Sequence, residues 1–494
     1  MSEAFDHLLE GLAPAFASPE DFVRARTQWL AGLLNLGRHT VSGALSTSGS
    51  QHRDWSAQYR LLQRLPVESI FAHVQSQALA ATDAARPWVV AVDDSITRKT
   101  GRRIPGCGWR KDPLGPAFNL NFVWGQRVLQ FSAAIPSDDG SARLVPVDWQ
   151  EAPLPNKPSC DADTQTQQAY VEARKQANIN CVAAERMAQL RTATERPIHW
   201  VSDGRFTNRT LLRKLPENTV LIGRVRKDSK LYAPCPTQPG KCGRPRKYGN
   251  TLPTPEQLRV DDSVAWSRVS AFAAEKRHDF KVKTLGPVLA RITGVDTLVR
   301  VVVIAPLGYR LRRGGKLLYR QPAYLLCTSS DVALEDILQE YLWRWDIEVN
   351  FRDEKCMLGV SEAQVREPEA VRRQPACAVA AYALLLLAAH KTYGPDRLPP
   401  SVPLAKWRRS EPPRRATTGL LINQLRVELW SRHLRPESLS HFCSRRPSDL
   451  KSDKPATDLA SALFYSHNLA PFTPNSSGEL RSPTPPPPLT SGEV

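Results

Sequence analysis

"WVVAVDD", Trp88–Asp94, is a run of five apolar residues that stops at two carboxylates. An apolar run with no polar alternation fits a strand buried on both faces, as in a sheet covered by helices. Working outward, "FNLNFVWGQRVLQFSAAIP" (118–136) reads as two strands turned at Gly125 and Gln126. The polar stretch from 160 to 195 reads as helical, and "PIHWVSDG" (197–204) is a short strand that again ends in a carboxylate, Asp203. "TVLIGRV" (219–225) is a fifth strand. The order is three strands, helix, strand, helix, strand, with acids at strand ends. This is a mixed α/β pattern.

The flanks differ in texture. Residues 1–85 read as helical, with a clear start at Ser18-Pro19-Glu20-Asp21: an N-cap, a first-turn proline and two acids at the positive helix end. Arg38, Arg53, Arg60 and Arg64 lie on or near these helices and make the region a candidate DNA-binding module. Residues 225–320 are basic and irregular, with short β-like runs such as "RVVVIAPLGYRL", and read as a β-rich insertion. "PAYLLCTS" then leads into a long helix starting near Asp331. The expected organisation is a mixed α/β domain in two parts, 86–224 and 321–395, interrupted by the 225–320 insertion. A basic region at 396–455 and a mostly disordered, proline-rich tail at 456–494 complete the chain.

Bulk chemistry narrows the partners. Lys and Arg number 67 against 49 Asp and Glu in 494 residues, for a net charge of +18 and a pI near 9.7. Such an excess favours a polyanion, nucleic acid above all. The nine cysteines include no CxxC pair, and an odd count argues against a complete disulfide framework. They read as reduced thiols of an intracellular protein, and the acidic, amphipathic N-terminus is unlike a secretory signal. "ACAVAAYALLLLAA", Ala376–Ala389, is apolar over 14 residues, short of the ~20 that span a bilayer. A buried core helix fits it better, and no membrane is expected.

The chemistry concentrates in "YLWRWDIEVNFRDEK", Tyr341–Lys355. On one continuous helix, Tyr341, Arg344, Glu348 and Lys355 fall at about 0°, 300°, 340° and 320°, a face roughly 60° wide. Leu338, Leu342, Trp345 and Val349 form an adjacent apolar stripe, so Trp345, like Trp343, is expected to pack. A lone carboxylate among cations and a phenol suits a divalent metal together with a phosphodiester. One Glu cannot hold two metals, and the strand-end acids supply the rest: Asp93 or Asp94, and Asp203.

With these residues assembled, the chain resembles the DDE transposases of bacterial insertion sequences, in the subgroup with a Tyr-Arg-Glu-Lys signature. Tyr341, Arg344, Glu348 and Lys355 meet that spacing without deviation, and "AVDDS" and "VSDGRF" resemble the two aspartate motifs. The resemblance covers about residues 88–390. It implies a ribonuclease-H-like catalytic fold with a β-rich insertion, and Asp93, Asp203 and Glu348 holding two Mg²⁺ ions, with Mn²⁺ able to substitute. Asp94 is the alternate for Asp93. Tyr341, Arg344 and Lys355 would grip DNA phosphates near the cut.

The implied activity is cut-and-paste transposition: binding of terminal inverted repeats, DNA cleavage and strand transfer. Double-stranded DNA would be the substrate, a homodimer on DNA the working form, and the bacterial cytoplasm the location. Two alternatives stay open, a nuclease that does not join and a non-catalytic DNA-binding derivative. Around the site, Arg98, Lys99, Arg102 and Arg103 form a basic loop suited to the DNA backbone. Arg244, Arg246 and Lys247 form a basic arm. Trp266, the sole tryptophan of the insertion, is a candidate for stacking on a flipped base as well as for core packing.

Overall fold

The computed structural model describes residues 1–434 apart from 53, 113–114, 116–117, 236–246, 295–296, 311–313, 361 and 396–414. Arg244, Arg246, most of the 396–455 region and the 456–494 tail therefore lie outside the described residues.

Five helices open the chain: α1 (Ser2–Glu10), α2 (Pro19–Leu34), α3 (Val41–Thr47), α4 (Ser56–Leu62) and α5 (Val67–Ala80). The Ser18 side chain caps α2 by accepting from the Asp21 N–H at 3.2 Å, as its sequence implies. These helices do not stand apart. Phe5, Leu9, Leu34, Phe71 and Val74 share one apolar core with the central sheet.

The sheet begins with β1 (Trp88–Arg98), β2 (Gly108–Lys111), β3 (Phe122–Pro136) and β4 (Ala142–Glu151). Here the sequence expectation needs correcting. Gly125 and Gln126 make no turn; they lie inside the 15-residue strand β3, and the hairpin turn falls after Pro136. Gly125 is required by a close approach, because a Cβ there would collide with the Thr97 carbonyl oxygen on β1. The glycine reports strand packing rather than a turn.

The helical stretch divides into α6 (Thr164–Gln176) and α7 (Ile179–Arg191), with Asn178 capping the second. Next come β5 (Ile198–Ser202), α8 (Arg209–Leu212) and β6 (Thr219–Arg224). Strands β4-β3-β1-β5-β6 lie side by side; β1 runs antiparallel to β3 and parallel to β5, and β5 runs parallel to β6. Numbered by appearance, that order is third, second, first, fourth, fifth: a ribonuclease-H-like mixed sheet.

The basic stretch beyond residue 225 adds β7 (Leu231–Tyr232), β8 (Thr251–Leu252), α9 (Pro255–Val260), β9 (Ser267–Ala273), β10 (Lys276–Ala290), β11 (Val299–Ile304), β12 (Gly308–Tyr309) and β13 (Leu318–Tyr319), followed by β14 (Ala323–Cys327). It is β-rich, and its main strands continue the same sheet. β14 pairs with β6, β11 with β14, and β10 with β11.

The long helix expected after Asp331 is two: α10 (Leu334–Trp343) and α11 (Asp346–Cys356), with a turn at Arg344–Trp345. The break follows from two separate cores. Ile337 and Leu338 of α10 pack with Ile222, Val269 and Phe280, whereas Ile347 and Phe351 of α11 pack into the central core. The single helical face drawn through Tyr341 and Lys355 is therefore not continuous. Trp345 leaves the apolar stripe as well: it sits at the turn with 67% of its surface exposed.

Helix α12 (Pro368–Tyr393) has 26 residues, not 14, and by length and composition alone could cross a membrane. Its Val379–Ala389 stretch is buried throughout, however, against β4, α1 and α5. It is a core helix, as expected, although the length argument for it fails. Helix α13 (Thr418–Leu434) packs on α12.

Candidate active site

Strand β1 carries the first acids to the C-terminal edge of its parallel pairing with β5. Val92 is the last residue in register with β5, opposite Ser202, so Asp93 and Asp203 follow side by side where the parallel pairing stops. β1 itself runs on to Arg98, so Asp93 and Asp94 lie inside that strand and not at its end as expected. Side chains alternate along a strand, so Asp93 and Asp94 point to opposite faces. Asp94 is held by Arg205, whose Nη1 donates to both of its oxygens at 2.8 and 2.7 Å. Asp93 is 8% exposed and accepts from Arg344 Nη1 at 3.0 Å.

The third acid arrives on α11. Two side-chain bonds dock that helix on the edge of β4: Asp346 Oδ2 accepts from the Leu144 N–H and Asn350 Nδ2 donates to the Leu144 carbonyl, both at 3.0 Å. The helix is also tied to β1 at both sides of Glu348. Arg344 reaches Asp93, and Lys355 Nζ donates to Ser95 Oγ at 2.6 Å. Glu348 and Lys355 are seven residues apart on α11 and so share a face.

Electrostatics register this convergence. Burial, then the negative charge of Asp203, pushes the Asp93 carboxyl up to about 7; Glu348 adds to the rise and Arg344 opposes it. Carboxylates that disfavour one another's charge are what a hard divalent cation relieves. Among the described residues, though, no three His, Cys, Asp or Glu side chains are gathered closely enough to ligate one ion. A guanidinium occupies Asp93 Oδ2 instead. The donors suit a hard cation in kind, and they converge without closing into a ligand shell.

The other expected residues are spread more widely. Tyr341 is half-buried between two cores, with the Arg344 guanidinium 5.8 Å from its ring centre. Arg98 is exposed and paired with Asp112 at 3.1 Å. Lys99 turns inward beside Cys107 and Glu151, and burial lowers its pKa. Arg102 stacks on Trp109 and Trp124, and Arg103 is exposed. Lys247 is exposed on its own loop. Trp266 packs against the apolar cluster of β10 and β11, with Lys283 Nζ 4.5 Å from its ring centre, so one face is already covered.

Two residues at the site escaped the sequence reading. Arg205 stands two positions after Asp203 and pairs with Asp94; an arginine just past a strand-end acid was the available signal. Arg127 is 8% exposed and bonds to the carbonyls of Ala152 and Ala177 behind the same acids. Nothing in its local sequence separates it from a surface arginine.

A family model described as DDE superfamily endonuclease matches residues 19–284, more than half of the 494-residue chain. The chain belongs to the DDE superfamily endonucleases. The matched span of this DDE endonuclease contains Asp93 and Asp203 and ends before Glu348 and α11. No curated protein matches the chain. Membership makes DNA the substrate and divalent-metal dependence the general rule.

Proposed function

We propose that this DDE endonuclease is a cut-and-paste transposase that recognises the terminal inverted repeats of its own element, cleaves there and transfers the strand. The observation that carries the reading is the joint placement of Asp93, Asp203 and Glu348, with Arg344 and Lys355 bracketing the glutamate. In this reading Asp93, Asp203 and Glu348 hold the cations. Divalent ions bound there, Mg²⁺ by the hardness of the oxygen donors, supply Lewis acidity to the attacked phosphodiester.

The chain's own residues do the positioning. Arg344 Nε is buried without a hydrogen-bond partner, a donor that a phosphate oxygen would satisfy. Lys355, on the Glu348 face of α11, offers a second cation to the same strand. Pairing two DNA ends calls for a homodimer on DNA, working in the bacterial cytoplasm.

The test is cleavage of a supercoiled plasmid carrying the DNA that flanks this chain's own coding sequence. Wild type and Glu348→Gln are compared with Mg²⁺, and joined products are scored beside nicks. Wild type should cut and join while the variant does neither. Cutting without joining would reduce the reading to a nuclease. Equal cutting by the variant would remove Glu348 from the site.

A further inference from the structure

The basic stretch expected after Asp93 ends in β2, which pairs with the start of β3 as a two-stranded ribbon. β2 and the start of β3 pair in antiparallel register, with Trp109 opposite Trp124 and Lys111 opposite Phe122. Residues directly opposite and two apart share a face, so these four side chains form one surface. Trp109 and Trp124 meet edge to face at 5.7 Å, and the Arg102 guanidinium lies 4.7 Å from the Trp109 ring centre. Trp109 is 56% exposed and Phe122 50%. Arg110, on the opposite face, lines a groove with Asp94, Ser95, Arg127 and Arg205, and Lys111 borders the same groove.

Charge and position narrow what could cover such a surface. Residues 98–112 hold six cations and one acid, Asp112, which is buried and already paired with Arg98. β2 ends the strand order, and Gly125 of β3 is opposite both Gly108 of β2 and Arg98 of β1, so the ribbon projects from the strand that carries Asp93. A protein partner for exposed aromatics so densely flanked by cations would need a matching acidic face. Duplex DNA supplies the anions together with apolar base edges, and its ~12 Å major groove admits a two-stranded ribbon.

We propose that the β2–β3 ribbon is a duplex-binding element that enters the major groove beside the cut, with Trp109 and Phe122 against base edges and Arg102 and Lys111 on phosphates. The proposal deepens the transposase reading and rests on it. Its test is dimethyl sulfate protection of guanine N7, a major-groove atom, on a 40-bp duplex from the flanking DNA, with Ca²⁺ present. Wild type, Trp109→Ala/Phe122→Ala and Lys111→Ala are compared, each checked by thermal melting.

Wild type should protect guanines next to the cut. The double variant should lose that protection and bind at least about tenfold more weakly. Lys111→Ala should keep the protection but lower the salt slope of binding by about one. Should loss of the tryptophan loosen the ribbon, the unchanged fold of Lys111→Ala still carries the test. Unaltered protection and affinity in the double variant, or loss only of self-association, would overturn the proposal. A wild type that neither binds nor cuts this DNA would instead overturn the transposase reading.

Discussion

Arg344 Nη1 lies 3.0 Å from Asp93 Oδ2, placing a guanidinium on the acid that burial, then Asp203 and Glu348, push toward neutrality. Both partners are 11% exposed at the side chain, so the pair is largely desolvated. A cation bound at Asp93 must compete with Arg344 for that oxygen. On the proposed reading Arg344 would balance the charge of Asp93 in the DNA-free protein and, with a cation held at Asp93, would turn to a DNA phosphate. Arg344→Gln should therefore bind Mn²⁺ about tenfold more tightly without DNA, a gain of ~1.4 kcal/mol, while losing cleavage. Titration of the DNA-free protein by Mn²⁺ electron paramagnetic resonance measures this; weaker binding would mean that Arg344 supports the metal site rather than competing with it.

The two adjacent aspartates should separate cleanly by substitution. Asp93 pairs with Arg344 and feels the charges of Asp203 and Glu348, whereas Asp94, though it also feels Asp203, is committed to Arg205 through both oxygens. Asp93→Asn should lower cleavage by about 100-fold or more. Asp94→Asn leaves Arg205, 51% exposed, free to find water, and should retain cleavage within about tenfold. Plasmid nicking rates for the pair decide it, and the reverse ranking would exchange their roles.

Which features were legible in the sequence depends on how local their causes are. β1, β5 and β6 are apolar runs buried from both sides, and that composition belongs to the strands themselves. The turn misassigned to Gly125 and the break at Arg344–Trp345 have distant causes. Gly125 answers to the Thr97 carbonyl on a neighbouring strand, and the helix divides because Leu338 and Phe351 serve different cores. The site shows the same division. Acids that close an apolar run announce themselves, while Arg127 acquires its place only through carbonyls 25 and 50 residues away.

Glu354 should make stability depend on pH in the direction opposite to an ordinary surface acid. It is 2% exposed on α11, and burial pushes its carboxyl up to about 8. Its Oε1 and the Oε1 of neighbouring Gln130 are both buried acceptors without a donor, and a protonated Glu354 supplies one. The folded pKa lies above the unfolded value of 4.5, so folding takes up a proton between those limits. The contribution is fully present below pH 4.5 and is lost as pH rises toward 8. Glu354→Gln keeps the shape and a donor without the charge. Relative to wild type it should gain about 2–4 kcal/mol between pH 5 and pH 9 in urea unfolding. Parallel stability curves would show that Glu354 is not held neutral.

Helix α11 is also strapped from the C-terminal side. Arg415 donates to Asp346 at 2.7 Å near the start of the helix, and Thr418 Oγ1 donates to Asp353 Oδ2 at 2.6 Å near its end, on either side of Glu348. Thr418 is 1% exposed and its hydroxyl also meets Arg143 Nη2 at 2.9 Å and the Tyr382 hydroxyl at 3.1 Å. Removing the hydroxyl leaves a buried carboxylate and a guanidinium short of a partner, so Thr418→Val should cost about 2–4 kcal/mol of stability. Thr418→Ser, which keeps the hydroxyl, should cost less than about 1.5 kcal/mol. If the strap fixes α11 against β1, Thr418→Val should also cut DNA more slowly at temperatures where it is still fully folded, and Thr418→Ser should not. Melting curves and nicking rates measured together separate the two effects. A larger loss in Thr418→Ser than in Thr418→Val would assign the cost to packing of the Thr418 methyl rather than to the hydroxyl network.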